Sequence, residues 1–147
     1  MRNGWQTAVP AGKAVGAMSE LTYLFDTNAL IDIYRGRQRI KPTFDQLIAG
    51  DIRGCISVIT EAELWRGLRP GELDTHNALI QLFTVLPLNS DVARLAGSWM
   101  AQFDNVGLGW MDAFIAASAK LSDTPLLTRD TKLASLLTRE LHFIVYD

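Results

Sequence analysis

The stretch that most constrains this chain is a short apolar run that ends on an acid. Residues 21–25 are mostly apolar, and Asp26 follows them directly. Thr27 and Asn28 then offer side chains that favour a helix start, and an amphipathic pattern begins at Ala29. This order predicts a strand that runs into a helix with Asp26 at the junction. Ligands of open α/β sheets bind beyond the carboxyl ends of strands, so Asp26 is a candidate functional residue, although a turn or cap role fits the stretch equally well.

Short apolar segments alternate with helical patterns along the rest of the chain. The pattern predicts further strands at residues 54–58, 84–86, 125–127 and 143–145. Such alternation is typical of an α/β fold whose mainly parallel sheet is covered by helices on both faces. A chain of 147 residues has the length of one domain.

The beginning of the chain differs from the remainder. Residues 1–17 contain three glycines and a proline and lack any helical or strand periodicity, which predicts a loose N-terminal extension. The organised domain is expected over residues 18–147, and Met18 is a second plausible start besides Met1. No continuous apolar core of a signal peptide is present, because Lys13 and the glycines interrupt every candidate.

Bulk composition excludes several classes of function. The formal net charge of −2 gives no general attraction for nucleic acid, so such a partner would require a local basic patch or a metal. Cys55 is the only cysteine, which rules out a disulfide framework, fits a reducing cytoplasm and suggests a core position. No apolar run has the length of a membrane span. His76 and His142 lack metal-ligand spacing, and we expect them at the surface or at helix caps.

Two further carboxylates have unequal support from the pattern. Glu63 lies three residues after Thr60, which is the spacing of a capping box and would explain Glu63 without any function. Glu61 competes for the same functional role. Asp112 lies in a predicted helix over residues 110–121 that is apolar nearly all round. An ionised carboxylate in such a helix is costly unless it is paired or bound to a cation.

Asp130 repeats the pattern of Asp26, because it too follows an apolar strand and a threonine. Two acids at strand ends and one in a buried helix favour a shared acidic site over independent helix caps. Carboxylates without histidine or thiolate ligands prefer hard cations such as Mg²⁺ or Mn²⁺. Those cations activate water and bind the oxygens of a phosphodiester.

Four motifs in this order make the chain resemble the PIN-domain family and, more narrowly, the VapC-type toxin ribonucleases of type II toxin–antitoxin systems. The motifs occupy residues 25–31, residues 56–64 with Gly67, residues 111–117 and residues 126–130. The resemblance implies a PIN-like three-layer α/β/α sandwich with a mainly parallel five-stranded sheet. It also implies a Mg²⁺-dependent endoribonuclease in which Mn²⁺ can substitute.

The resemblance also assigns roles to individual residues. Asp26, Glu63 and Asp112 match the three acids of the family, and Asp130 matches a more variable fourth; these four are the predicted catalytic and metal-binding residues. Glu63 is favoured over Glu61 because the family acid precedes a leucine. The predicted supporting residues are Thr27, Asn28 and Thr128. The candidate contacts for the RNA backbone are Arg35, Arg37, Arg39, Lys41 and Arg129, although the first four also suit a solvated loop.

The resemblance further implies partners, and rival functions remain open. The expected partners are RNA, a VapB-type antitoxin that fills the acidic pocket with a basic side chain, and a second copy in a homodimer. The alternatives are an RNA-processing PIN nuclease that is not a toxin and a non-catalytic module whose acidic pocket holds a partner's arginine. A phosphoacceptor receiver domain would need a strand-end lysine, and none clearly follows the fourth or fifth strand.

Overall fold

The computed structural model describes residues 21–147, which form a five-stranded sheet with helices on both of its faces. The strands are β1 Leu21–Phe25, β2 Ile52–Ser57, β3 Phe83–Leu86, β4 Leu126–Thr128 and β5 Phe143–Val145. The helices are α1 Thr27–Tyr34, α2 Lys41–Ala49, α3 Val58–Arg66, α4 Leu73–Ile80, α5 Ser90–Phe103, α6 Trp110–Leu121 and α7 Thr131–Leu136. The predicted extension over residues 1–17 and the choice of start lie outside the described residues.

Every strand of the sheet runs parallel to its neighbours, in the order β3-β2-β1-β4-β5. The predicted α/β class and five-stranded sheet are therefore confirmed, with the sheet wholly rather than mainly parallel. The chain moves outward from β1 to β2 and β3, and then crosses to the other side of β1 to form β4 and β5. The strand order thus reverses between β1 and β4, and the carboxyl ends of these two strands are where such sheets usually bind ligands.

Alternate residues of the strands enter two separate cores. Leu24 and Leu126 pack with α5, α6 and α7, whereas Phe25 and Leu127 pack with α1, α2 and α4. Helix α3 contributes to both cores. This division is the three-layer arrangement that the resemblance implied, and it explains why the strands have no polar face.

Tight packing between β2 and β3 restricts one residue to glycine. A Cβ atom at Gly54 would lie 2.8 Å from the ring of Phe83, which is closer than carbon atoms can approach. The same ring makes an edge-to-face contact with Phe25 on β1, with ring centroids 5.1 Å apart. The absence of a side chain at Gly54 therefore lets one aromatic pair fill the core beneath three strands.

Three expectations about single residues have different outcomes. Cys55 lies in the core as predicted, and burial raises the pKa of its thiol. His142 is exposed as predicted, but the expected surface or cap position of His76 is wrong, because this side chain is 1% exposed. His76 is covered by Trp65 and hydrogen-bonds through Nδ1 to the hydroxyl of Tyr34. Within residues 21–147, no helix has the length and apolar character needed to cross a membrane.

Candidate active site

Strands β1 and β4 end side by side, and this brings the first and last predicted acids to the same sheet edge. Phe25 pairs with Leu127, and the amide of Asp26 donates to the carbonyl of Leu127 at 2.9 Å. Asp26 is therefore held at the switch point between the two strands. Asp130 follows two residues after the end of β4, so both acids leave parallel strands in the same direction.

Asp26 is nearly enclosed and receives hydrogen bonds at both oxygens. Its side chain is 4% exposed; Oδ1 accepts from the amide of Thr27 at 2.8 Å, and Oδ2 accepts from the hydroxyl of Thr128 at 2.8 Å. The amide group of Asn28 lies 3.4 Å from Oδ2 and 3.2 Å from the Thr128 hydroxyl. The structure thus places Thr27, Asn28 and Thr128 against Asp26.

The pKa of Asp26 is raised by its surroundings. Burial is the largest cause, because it disfavours the charged form. The hydrogen bonds from Thr128 and Thr27 oppose this rise, and the negative charges of Asp130 and Glu63 add to it. The hydrogen bonds from Thr27 and Thr128 fix the carboxylate in position, but they compensate its negative charge only in part.

Glu63 lies near Asp26, and the capping-box explanation of Glu63 is wrong. Ser57 caps α3 instead, with its hydroxyl accepting from the amide of Ile59 at 3.0 Å. Thr60 is fully buried in the first turn, and its hydroxyl lies 2.9 Å from that of Thr27. The Thr27 hydroxyl donates to Glu63 Oε1 at 2.6 Å. Thr27 therefore links α1 to α3 and turns Glu63 towards the acidic centre.

Asp112 lies in the first turn of α6 and experiences all three of the other acids. Its pKa is raised to about 6, first by partial burial and then by the charges of Asp26, Asp130 and Glu63. Within residues 21–147 its carboxylate has no hydrogen-bonding or ionic partner, in contrast to Asp26. A carboxylate whose pKa is raised by neighbouring like charges is one that a bound cation would stabilise.

Asp130 is a helix cap and also lies near the other acids. It caps α7, because Oδ1 accepts from the amide of Leu133 at 2.9 Å, and its own amide donates to the Thr128 hydroxyl at 3.0 Å. Its charge also raises the pKa values of Asp26 and Asp112. Capping and membership of the acidic group are therefore compatible here. We call Asp26, Glu63, Asp112 and Asp130 the acidic site.

The acidic site has donors that suit a hard divalent cation, although they do not already form a closed ligand set. No group of three or more His, Cys, Asp or Glu side chains among residues 21–147 is arranged to hold a metal ion as it stands. Glu63 Oε1 is turned to Thr27 and Asp130 Oδ1 to Leu133, which accounts for part of this arrangement. The chemistry nevertheless fits Mg²⁺, since all donors are oxygens and their mutual repulsion is uncompensated.

The predicted basic contacts divide into three groups. Arg37 Nη1 and Arg129 Nε bind opposite oxygens of Asp32, at 2.6 Å and 2.8 Å. Lys41 pairs with Asp45 on the exposed surface of α2. The remaining two, Arg35 and Arg39, are exposed and have no side-chain partner within the described residues.

Sequence reasoning missed Asp32. This side chain is completely buried, and its Oδ2 also accepts from the hydroxyl of Tyr146 at 2.6 Å. Burial tends to raise the pKa of Asp32, but the hydrogen bonds from Tyr146, Arg129 and Arg37 outweigh it and lower the pKa. The available signal was an acid between Ile31 and Ile33 in an apolar helix. We call Asp32, Arg37, Arg129 and Tyr146 the Asp32 cluster.

A cleft beside the acidic site adds a second residue that the sequence did not single out. The cleft has a volume of about 270 Å³, and its wall includes Asp112, Asp130 and Lys132 above an apolar floor. Lys132 follows Asp130 by two residues and brings a positive charge to the same opening. A negatively charged polymer that entered this cleft would therefore meet the ammonium group of Lys132 as well as the carboxylates of Asp112 and Asp130.

The fold and the acidic site define the class of protein. The chain belongs to the PIN-domain family, whose model matches residues 23–136. Among curated proteins it is similar to ribonuclease VapC10 of Mycobacterium tuberculosis, with 34% identity over 111 residues that cover 71% of this chain and 80% of that protein. The chain is thus a homologue of the VapC ribonucleases, as the four motifs suggested.

Solved structures of toxin–antitoxin systems share this fold. A toxin–antitoxin complex from Klebsiella pneumoniae matches with a TM-score of 0.63 and 29% identity, covering 77% of this chain and 90% of that chain. VapBC-1 from nontypeable Haemophilus influenzae matches with a TM-score of 0.70 and 25% identity, covering 85% and 98%. These likenesses extend over nearly the whole of each solved chain.

Proposed function

We propose that this protein is a metal-dependent endoribonuclease and the toxin of a VapBC-type toxin–antitoxin pair. The observation that carries the proposal is the acidic site, in which Asp26 and Asp130 leave adjacent parallel strands at the switch point of the sheet and Asp112 experiences the charges of Asp26, Asp130 and Glu63. A surplus of negative charge beside an open cleft suits a cation and a phosphodiester better than a packing role. The similarity to ribonuclease VapC10 supports RNA as the substrate.

In this proposal, the four acids have two kinds of role. Asp26 and Asp112 would hold the cation most directly, because the oxygens of Asp26 are fixed by Thr27 and Thr128 and Asp112 has no other partner in the described region. Glu63 and Asp130 orient the attacking water, directly or through a further water. Mg²⁺, when bound, would lower the pKa of water and offset the charge of the phosphate.

The supporting residues act before any chemistry by fixing orientation. The Thr27 hydroxyl donates a hydrogen bond to Glu63 Oε1, which leaves Oε2 to accept a hydrogen bond from water. The Thr128 hydroxyl donates a hydrogen bond to Asp26 and accepts one from the amide of Asp130, so one side chain sets the spacing of both strand-end acids. Such preorganisation lowers the cost of gathering four like charges in one place.

The experiment is RNA cleavage by purified protein with Mg²⁺, with Mn²⁺ and with EDTA. Wild-type protein should cut RNA only with a divalent cation, and Asp26→Asn and Asp112→Asn should each lower the rate at least about 100-fold, as loss of a main electrostatic group does. Asp45→Asn is the matched control, because Asp45 is an exposed acid on α2 that pairs with Lys41. Absence of cleavage by wild-type protein with either metal would sink the enzymatic proposal.

The toxin role requires a partner. The relatives in solved structures were obtained as VapBC or toxin–antitoxin complexes, which supports a VapB-type antitoxin and, with the family resemblance, a homodimer for this chain. Expression of this chain alone should arrest growth, and co-expression with a small protein encoded next to it should restore growth. Cleavage in vitro without growth arrest would favour an RNA-processing PIN nuclease. The lone buried thiol of Cys55 fits the proposed location in a reducing cytoplasm.

A further inference from the structure

The Asp32 cluster contains more positive charge than its own stability requires. Asp32 carries one negative charge, whereas Arg37 and Arg129 carry one positive charge each. One guanidinium and the Tyr146 hydroxyl would suffice to satisfy a buried carboxylate, since each oxygen would then have a donor. The second guanidinium is a surplus. An excess charge that is fixed in place is a feature expected of a binding site rather than of a structural ion pair.

Both guanidinium groups keep most of their donors available. Arg37 uses Nη1 and Arg129 uses Nε for Asp32, and an arginine has five N–H donors in total. The two side chains are 45% and 33% exposed, although the carboxylate that anchors them is completely buried. One nitrogen of each guanidinium is therefore held by Asp32, while each side chain as a whole is partly open to solvent. This arrangement preorganises two planar forks for an anion with several oxygens, such as a phosphate.

The cluster lies next to the acidic site along the same sheet edge. Arg129 stands between Thr128 and Asp130 in the chain, and its amide donates to Asn28 Oδ1 at 3.4 Å. Asn28 in turn reaches Asp26 through its Nδ2 atom. Asp32 is one turn of α1 beyond Asn28, a rise of about 6 Å. The cluster is thus displaced from the acids by about one helical turn, towards β5 and Tyr146.

From this placement we infer that Arg37 and Arg129, fixed by Asp32, form a binding site for an RNA backbone phosphate other than the one that is cleaved. The inference rests on the proposed ribonuclease function. The other basic candidates differ from these two arginines. Lys41 pairs with the exposed Asp45, and Arg35 and Arg39 have no buried acid within the described residues to fix their side chains. The cleaved phosphate would lie at the acidic site, and the arginine pair would set the position of the RNA strand relative to it.

The test measures RNA binding separately from RNA cleavage. Fluorescence anisotropy follows a labelled single-stranded RNA on the Asp112→Asn protein, which should cut RNA at least about 100-fold more slowly, in Mg²⁺ and over a range of NaCl concentrations. Loss of one phosphate contact lowers the slope of log affinity against log salt by about 0.7 for a single strand. Arg37→Ala in this background should weaken binding and reduce the slope by about that amount, and Arg37→Lys should restore the slope.

Arg94→Ala is the matched control, because Arg94 is an exposed arginine paired with Asp91 on α5. It should leave both affinity and slope unchanged. The inference is overturned if Arg37→Ala binds RNA like its parent, if Arg94→Ala lowers the slope equally, or if the Asp112→Asn protein binds no RNA. RNA cleavage by wild-type protein is measured in parallel. If wild-type protein cuts RNA but Arg37→Ala binds RNA normally, only the phosphate site is rejected; if wild-type protein cuts no RNA, the ribonuclease proposal itself fails.

Discussion

The acidic site and the Asp32 cluster lie along one sheet edge, and the charges around their carboxylates are opposite. At the acidic site, like charges and burial raise the pKa values of Asp26 and Asp112. In the Asp32 cluster, hydrogen bonds from three donors outweigh the effect of burial and lower the pKa of Asp32. One region has too few positive charges of its own and the other has one more than it needs. Burial alone therefore does not identify a functional acid; the missing counter-charge does.

The contrast predicts opposite effects on stability when an acid is removed, and the larger effect belongs to the Asp32 cluster. Asp32→Ala should lower the free energy of unfolding by about 3 kcal/mol, because it leaves two guanidinium groups and the Tyr146 hydroxyl without their shared acceptor. Urea denaturation measures the change. Asp45→Ala, which removes an exposed pair, is the control and should cost less than about 1 kcal/mol. A loss no greater than that of the control would contradict a tight cluster.

At the acidic site, removal of an acid should increase the free energy of unfolding rather than lower it. Asp112→Asn removes a charge that three other carboxylates repel, so in EDTA at pH 7 it should raise the free energy of unfolding by about 1–3 kcal/mol. The same urea experiment measures this gain, and Asp45→Asn supplies the exposed control. A variant less stable than wild-type protein would mean that Asp112 has a favourable partner and that the site is not short of positive charge.

The pH dependence sharpens the same comparison. The pKa of Asp112 is about 6 in the folded protein and near 3.8 when unfolded, so the folded state holds the proton more tightly. Its ionisation therefore lowers stability as pH rises from about 4 to 6. Asp32 behaves in the opposite way, because its pKa is lowered and its contribution is lost as pH falls below about 4.

The measurable consequence is a difference between two proteins. The stability advantage of Asp112→Asn over wild-type protein should be near zero at about pH 4, grow through the window up to about pH 6 and then level off. Urea midpoints at a series of pH values provide this curve. An advantage that does not change with pH would show that it arises from packing rather than from the charge of Asp112.

The sequence predicted most of the framework because its signals were local. The strand at 143–145 and the helix at 110–121 have the predicted bounds, since glycines, turn residues and apolar periodicity mark them within a few residues. The predicted cap of α3, Thr60, was wrong. Ser57 and Thr60 both suit a helix start, and only the end of β2 decides between them. Trp65 on α3 covers His76 although its own side chain is 51% exposed.

The long-range contacts of the site were harder to predict. Asp32 binds Arg129 and Tyr146, which are 97 and 114 residues away in the chain, so no spacing in the sequence links them. Asp26 and Thr128 are 102 residues apart, and their association came from the family motifs rather than from periodicity. Local patterns indicate which residues leave a strand at its end. They do not indicate which of those residues find a partner of opposite charge.

The most direct test of a cation-binding acidic site is the effect of Mg²⁺ on the stability of wild-type protein and of Asp112→Asn, each compared with NaCl at equal ionic strength. Mg²⁺ at about ten times its dissociation constant should stabilise wild-type protein by about 1.4 kcal/mol, and Asp112→Asn by much less. The advantage of the variant should therefore shrink as Mg²⁺ is added. If Mg²⁺ stabilises both proteins equally, or neither beyond NaCl, the carboxylates at this sheet edge are not the metal centre of a nuclease.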